Sequence, residues 1–238
     1  MTVAAVLVAA GNGSRLGHTL PKAFVPLDGV PLVVHAARGL LTVPGVTAVV
    51  VVVPPDRTDA ARELVAGLSA ALVVVPGGVT RQASVAAGLA ALPDEADVVL
   101  VHDAARPFAP VEMVDRVIAA VRAGHPAVIP ALPVTDTIKR VGPGDTTGAP
   151  VLETVPRGPL RAVQTPQGFA REVLLAAHTA AAGLADDEAT AASDDAALVE
   201  ARGVPVWVVP GDERAAKITT PSDLAVAHRL AVRTEPIG

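Results

Sequence analysis

The chain has 238 residues, enough to bury a full core, and its 51% hydrophobic content excludes a disordered protein. Aromatic residues make up only 2%, so the core must be built from Val, Leu and Ala, and the lack of any Cys excludes disulfides, thiolate zinc sites and a cysteine nucleophile. A formal net charge of -5 argues against general nucleic-acid binding, and Pro and charged residues interrupt the Val/Ala runs too often for them to span a bilayer.

The start, Met1-Thr2-Val3, has no basic leader and runs straight into an apolar stretch, which predicts a cytoplasmic protein. Residues 3–10 are apolar and rich in β-branched side chains, as suits a buried strand. The loop Gly11-Asn12-Gly13-Ser14-Arg15-Leu16-Gly17 follows, with Leu20-Pro21-Lys22 beyond it. Glycines let backbone N–H groups approach a phosphate, and Arg15 and Lys22 add positive charge. A dinucleotide-binding fingerprint needs G-x-G-x-x-G, but Gly17 falls one residue late and Leu20-Pro21 stands where a helix should run. No Gly-Lys-Ser/Thr of a P-loop occurs either. What remains is a long loop suited to wrapping a triphosphate, or else a plain glycine turn carrying two solvated cations.

Further apolar runs at 46–53, 72–75, 98–102, 127–131 and 206–209 read as strands. Ala/Leu-rich segments at 32–41, 59–68, 82–91, 111–123, 171–181, 194–202 and 222–232 read as helices. Pro31 suits the first helical position of the first of these, and Ser222-Asp223 suits the cap of the last. Continuous apolar strands alternating with helices imply an α/β fold with a mainly parallel sheet covered on both faces, and ligands bind such sheets beyond the carboxyl ends of the strands. One domain is expected over 1–238. Residues 133–166 break the alternation. Two strand-like pieces at 137–141 and 151–155 flank the turn-rich Gly142-Pro143-Gly144-Asp145-Thr146-Thr147-Gly148, which predicts a projecting hairpin arm. A lone hairpin is marginal in water, so a homodimer using the arm is expected.

Three stretches at strand ends carry chemistry. Gly77-Gly78-Val79-Thr80-Arg81-Gln82-Ala83-Ser84 opens a helix, where the glycines admit a flat ligand and Ser84 offers a hydrogen bond to a base edge; an ordinary strand-to-helix turn explains it as well. In His102-Asp103-Ala104-Ala105-Arg106-Pro107, Asp103 ends a central strand, where Mg²⁺ would bridge phosphates. Ala104 and Ala105 leave room for a ligand, Arg106 either grips a phosphate or pairs with Asp103, and His102 reads as a packed strand-end residue. Lys217 lies between a strand and the last helix, and its weight comes from the pattern around it.

Taken together, these stretches resemble the 2-C-methyl-D-erythritol 4-phosphate cytidylyltransferases of isoprenoid precursor synthesis. The resemblance runs end to end through Ala9-Ala10-Gly11-x-Gly13-x-Arg15, Pro21-Lys22, Gly77-Gly78-x-x-Arg81-x-x-Ser84, HDAARP at 102–107, Pro133-Val134-x-Asp136-Thr137, Thr154-Val155-x-Arg157, Gln164-Thr165-Pro166-Gln167, Ser193-Asp194-Asp195 and Lys217-Ile218-Thr219. It implies a Rossmann-like nucleotidyltransferase domain that makes the CDP-linked alcohol and pyrophosphate from CTP and methylerythritol phosphate. By the same resemblance, Arg15, Lys22 and Lys217 are catalytic, and Ala9, Ala10, Gly11, Gly13, Gly77, Gly78, Ser84, Asp103 and Ala104 bind nucleotide. Arg106, Thr137, Arg157, Thr165, Ser193 and Lys217 bind the second substrate, Asp103 holds Mg²⁺, and Thr137 and Arg157 serve the partner subunit's site. An acidic residue common in the family is replaced by Val79, which leaves only a backbone contact there. A cytidylyltransferase for another polyol phosphate, such as ribitol 5-phosphate, is the close alternative. A catalytically silent nucleotide sensor on the same fold is disfavoured by the presence of Arg15, Lys22, Asp103 and Lys217 together.

Overall fold

A computed structural model describes residues 2–11, 20–187 and 189–231. The first strand, β1 (Thr2–Val8), is the centre of the sheet, and Val3, Ala4, Ala5, Val6 and Leu7 are fully buried. It is flanked in parallel by β4 (Val46–Val53) and β6 (Ala96–Asp103), and β5 (Leu72–Pro76) extends the sheet beyond β4. Between β1 and β4 come a small hairpin of β2 (Pro26–Leu27) and β3 (Val30–Pro31) and the first helix, α1 (Leu32–Leu41). Helices α2 (Thr58–Val65), α3 (Arg81–Ala90) and α4 (Val111–Arg122) follow β4, β5 and β6 in turn, giving the alternation expected of parallel crossovers.

The far side of the sheet is mixed. Strand β7 (Ala127–Pro133) meets β10 (Arg161–Val163) and β11 (Gln167–Ala170) antiparallel, and β12 (Val206–Pro210) parallel. Ala131 pairs with Val163 on one side and Pro210 on the other, so β12 occupies the opposite edge of β7 from β10 and β11. β11 also pairs with β6 and thereby joins the two halves. Helices α5 (Arg171–Ala180), α6 (Asp195–Glu200) and α7 (Pro221–Ala231) complete the described α-helices.

Alternation along β1 sets the two cores, because successive side chains point to opposite faces of a strand. Val3, Ala5 and Leu7 pack with residues of α1, α2 and α4, including Leu40, Val65 and Val117. Ala4 and Val6 pack with residues of α3, α5 and α6, including Val85, Leu174 and Val199. The sheet is therefore covered on both faces, as its unbroken Val-rich strands require.

The expected arm is present as β8 (Ile138–Val141) and β9 (Val151–Val155), which among the described residues pair only with each other, in a two-stranded sheet. Details differ from the sequence reading, and the small β2–β3 hairpin was not expected. Strands β10 and β11 were not expected: each is short, and Gly168 and the polar Gln164-Thr165-Pro166-Gln167 mask any alternation. Pro31 is the cap of α1 in extended geometry (φ -58°, ψ 145°), one residue before the first helical position. The cap of α7 is a reciprocal box, in which Thr220 Oγ1 accepts from Asp223 N at 3.2 Å and Asp223 Oδ2 accepts from Thr220 N at 2.8 Å, rather than Ser222.

Candidate active site

A cavity of about 230 Å³ opens where β1 and β6 end. Ala9, Ala10, Gly11 and Lys22 form one wall, and Gly78, Val79, Thr80, Arg81 and Ser84 another. Asp103, Ala104, Ala105 and Lys217 close the remainder. The sheet topology assembles these residues: Ala104 N donates to Val8 O at 3.0 Å and Gly77 N to Val53 O at 2.7 Å, which lines up the ends of β1 and β6 and of β4 and β5. Gly13 and Arg15 lie outside the described residues.

The Gly77-Gly78 pair is required by close approach. A Cβ on Gly77 would lie 2.8 Å from both Ala10 Cβ and Ser84 Oγ, and one on Gly78 would lie 2.5 Å from Ala83 Cβ. Gly77 thus lets the turn lie against the residues that follow β1, and Gly78 lets it fold onto the first turn of α3. Thr80 caps α3 by accepting from Ala83 N at 3.0 Å, and its hydroxyl donates to Ala185 O. The Ser84 hydroxyl is 2.8 Å from Thr80 O and 3.3 Å from Gly78 O. Both are carbonyls, so the Ser84 proton is spent and the hydroxyl meets a ligand as an acceptor.

Asp103 is the single carboxylate among the described lining residues, and cations hold both of its oxygens. Lys217 Nζ donates to Oδ2 at 2.6 Å, and Arg81 Nε lies 3.5 Å from Oδ1. Burial pushes the Asp103 carboxyl up, but Arg81, Lys217 and Arg106 together outweigh it and hold it well below the usual carboxylate range. Its backbone N–H donates to Thr165 Oγ1 at 3.0 Å. That hydroxyl in turn meets His102 Nδ1 at 3.0 Å, while His102 Nε2 lies 3.1 Å from the Arg106 carbonyl. A carbonyl only accepts, so Nε2 carries the proton and Nδ1 accepts from Thr165. Burial lowers the His102 pKa to about 4, so the ring stays neutral. His102 is the packed, satisfied residue that the sequence suggested.

The loop carrying Lys217 is stitched down on both sides. Ile218 N donates to Ala105 O at 2.8 Å, and Arg106 Nη1 donates to Ala215 O at 2.7 Å. A second Arg106 nitrogen reaches Val163 O at 3.2 Å. The guanidinium thus binds the chain's own carbonyls and is not part of the cavity lining.

Thr137, Arg157 and Ser193 are exposed and also outside that lining. Thr137 precedes β8, and Arg157 follows β9 and donates to Thr135 O. Ser193 stands just before α6, whose cap is Asp194, accepting from Ala197 N at 3.0 Å.

Arg81 and Asp195 were missed as site residues. Arg81 Nη1 pairs with Asp195 Oδ2 at 2.8 Å, and Asp195 Oδ1 meets His178 Nε2 at 2.9 Å. The clue lay in Arg81 itself: a cation at the start of a helix opposes the helix dipole unless an acid holds it. An acidic pair at a helix start is ordinary, and this hid Asp195.

The family model for 2-C-methyl-D-erythritol 4-phosphate cytidylyltransferase (IspD) matches residues 3–233. The chain is 50% identical over 236 residues to the 2-C-methyl-D-erythritol 4-phosphate cytidylyltransferase of Streptomyces coelicolor, covering 97% of this chain and 85% of that one. Among solved structures, it is similar to 2-C-methyl-D-erythritol 4-phosphate cytidylyltransferase from Thermus thermophilus (37% identity, TM-score 0.75, 98% of this chain and 100% of that one). It also matches the 4-diphosphocytidyl-2C-methyl-D-erythritol synthase of Anaerococcus prevotii (28% identity, TM-score 0.81, 98% and 99% of the two chains). With the strand-end cavity, the glycine pair and the Asp103–Lys217 contact all falling within the matched span, the chain belongs to the 2-C-methyl-D-erythritol 4-phosphate cytidylyltransferase family.

Proposed function

We propose that the cavity binds CTP and that its cations drive cytidylyl transfer to 2-C-methyl-D-erythritol 4-phosphate, giving 4-diphosphocytidyl-2-C-methyl-D-erythritol and pyrophosphate. The observation that carries this reading is Lys217, held 2.6 Å from Asp103 at a strand end, in one cavity with Lys22 and Gly78. Ala9, Ala10, Gly77, Gly78 and Ser84 take the cytosine, with Ser84 accepting from its amino group. Gly11, Gly13, Arg15 and Lys22 hold the triphosphate, and Asp103 and Ala104 border the nucleotide. Lys217 faces the second substrate's phosphate. Arg106 and Thr165 serve that substrate from behind, by holding the Lys217 loop and the Asp103 backbone.

A phosphate oxygen of the polyol attacks the α-phosphorus of CTP; the new P–O bond forms as the bond to the β-phosphate breaks, and pyrophosphate leaves. A phosphate monoester has its second pKa near ~6, so it is largely dianionic at neutral pH and needs no general base. The task is to bring two polyanions into line, and Arg15, Lys22 and Lys217 screen their repulsion and stabilise the charge that builds on the α-phosphate.

Mg²⁺ usually binds through one or two carboxylates plus substrate phosphates. Among the described residues no group of three His, Cys, Asp or Glu side chains comes together, so the donors fit a metal arriving with the triphosphate rather than a protein cage. Asp103 is the residue that would hold it. When bound, the ion neutralises triphosphate charge.

The arm supports a homodimer in which Thr137 and Arg157 reach the other subunit's cavity. Val141, Val151 and Leu152 are exposed on it, and among the described residues its strands pair with no others. The remaining 133–166 segment and the sheet form one nucleotidyltransferase domain with this arm, working in the cytoplasm. Among the described residues no helix is long and apolar enough to cross a membrane. Pyrophosphate release from CTP with methylerythritol phosphate, with and without Mg²⁺, tests the reaction. Turnover with ribitol 5-phosphate alone would replace the substrate, and no release with either would overturn the reading. Sedimentation as a monomer at micromolar concentration would overturn the dimer.

A further inference from the structure

Arg81 is a cation that none of the steps above uses. It is the first residue of α3, where the helix dipole disfavours positive charge, yet it lines the cavity. Its guanidinium is gripped from behind. Asp195 Oδ2 takes Nη1 at 2.8 Å, and Asp195 is 1% exposed and lies outside the cavity lining. His178, itself buried, holds the other Asp195 oxygen at 2.9 Å. With Nη1 fixed in this way, the planar fork carries Nε to 3.5 Å from Asp103 Oδ1. Lys217 takes Asp103 Oδ2 at 2.6 Å. The contacts therefore form a chain from the interior to the cavity, in which the His178 ring holds Asp195, Asp195 holds Arg81, and Arg81 and Lys217 flank Asp103.

A carboxylate caught between two cations has one preferred orientation, provided that neither cation can move. Arg81 cannot, because Asp195 holds it. If Asp195 loses its charge, the Arg81 fork is free to close on Asp103 with two parallel hydrogen bonds, the stronger geometry, and draws that carboxylate away from Lys217. Stability alone does not account for the arrangement, since a buried ion pair is often no better than apolar residues of similar volume.

We propose that Arg81 is a positioning residue of the transfer step, anchored by the buried Asp195–His178 pair, and that it keeps the Asp103 carboxylate aligned so that Lys217 is held at the cavity. This role presupposes the cytidylyltransferase reaction proposed above.

The test compares Asp195→Asn, Arg81→Lys and the double variant Arg81→Gln/Asp195→Asn by pyrophosphate release and by thermal midpoint. Asp195→Asn lowers kcat by about tenfold or more, as small misplacements of reacting groups do, with both KM values within about threefold. Arg81→Lys keeps the charge but loses the fork, and kcat falls in the same way. The double variant removes the buried unpaired charge, so its thermal midpoint returns toward wild type while kcat stays low. Recovery of kcat together with stability in the double variant would show the network to be structural only and overturn the proposal. A rise in the CTP KM that accounts for the whole loss would make Arg81 a ligand contact and overturn it too, and so would full activity in Arg81→Lys. Lack of pyrophosphate release by the wild-type chain would sink the reaction itself; an active wild type with equally active variants would sink only the role of Arg81.

Discussion

Lys217 and Arg157 are cations proposed to serve the same reaction, and the fold holds them in opposite ways. Lys217 sits on a loop fixed by Ile218 N to Ala105 O and by Arg106 to Ala215 O, and its ammonium rests on a buried carboxylate. Arg157 is exposed at the foot of an arm whose two strands, among the described residues, pair only with each other, and it donates to the backbone carbonyl of Thr135. The cavity is thus organised by folding before any ligand arrives. The arm presents its chemistry on a two-stranded ribbon, which is marginal without a further surface to pack on. Preorganised charge belongs where the transition state develops, and an exposed contact suffices for gripping a substrate tail.

The largest effects should therefore come from the cavity. Lys217→Ala and Lys22→Ala are each expected to lower kcat by about 10²–10³, the usual cost of one donor to a developing oxyanion, while the chain still folds. Pyrophosphate release under saturating CTP and methylerythritol phosphate reads this directly. Near-wild-type kcat in either variant would erase the contrast between a preorganised cavity and an adaptable arm.

Next in size is the pH dependence of stability, which also belongs to the cavity wall. His102 has a folded pKa of about 4 against about 6.5 when unfolded, because burial excludes the charged ring. The unfolded chain binds the proton first, so stability falls as the pH drops from about 6.5 towards 4. The expected loss between pH 7 and pH 5 is about 2 kcal/mol, read from urea midpoints. Asp103 acts in the opposite pH range: its lowered pKa adds stability above the ordinary carboxylate value that is lost only in strong acid. His102→Gln should remove the pH 7 to 5 component, and an unchanged slope in that variant would assign it elsewhere.

The same contrast explains what could be read from the sequence. The strands at 46–53 and 98–102 were legible because a strand buried on both faces is an unbroken apolar run, and the arm because glycines and prolines punctuate it. Asp103 was legible because a carboxylate ending such a strand has a known place in the architecture. Strands β10 and β11 were not, since three or four residues containing Gly168 carry no period. Arg81 and Asp195 escaped for a different reason. They lie far apart in sequence, and their contact depends on how α3 and α6 dock, which no local pattern encodes. Likewise, the sequence leaves Arg106 open between gripping a phosphate and pairing with Asp103, because it does not reveal that two carbonyls occupy the guanidinium.

A smaller effect is expected at the arm. Arg157→Ala should raise the KM for methylerythritol phosphate by about tenfold, equivalent to one charge-assisted contact of about 1.4 kcal/mol, with the CTP KM and thermal midpoint unchanged. A selective change in the CTP KM would move Arg157 from the polyol phosphate to the nucleotide.

The smallest effect sharpens the claim about what holds Lys217. Thr220 and Asp223 form the reciprocal cap of α7, and Asp223 Oδ2 also accepts from Thr219 N at 2.8 Å, only two residues beyond Lys217. Thr220→Ala removes one side of the box and should cost about 1 kcal/mol of stability, a fall of roughly 2–4 °C in thermal midpoint for a chain of this size. Its kcat should stay within about twofold of wild type, because Ala105 and Arg106 fix the Lys217 loop from the sheet side and the cap acts only on the helix side. If kcat falls along with the midpoint, the loop takes its position from α7 instead, and the cavity's preorganisation extends through the last helix rather than ending at the sheet.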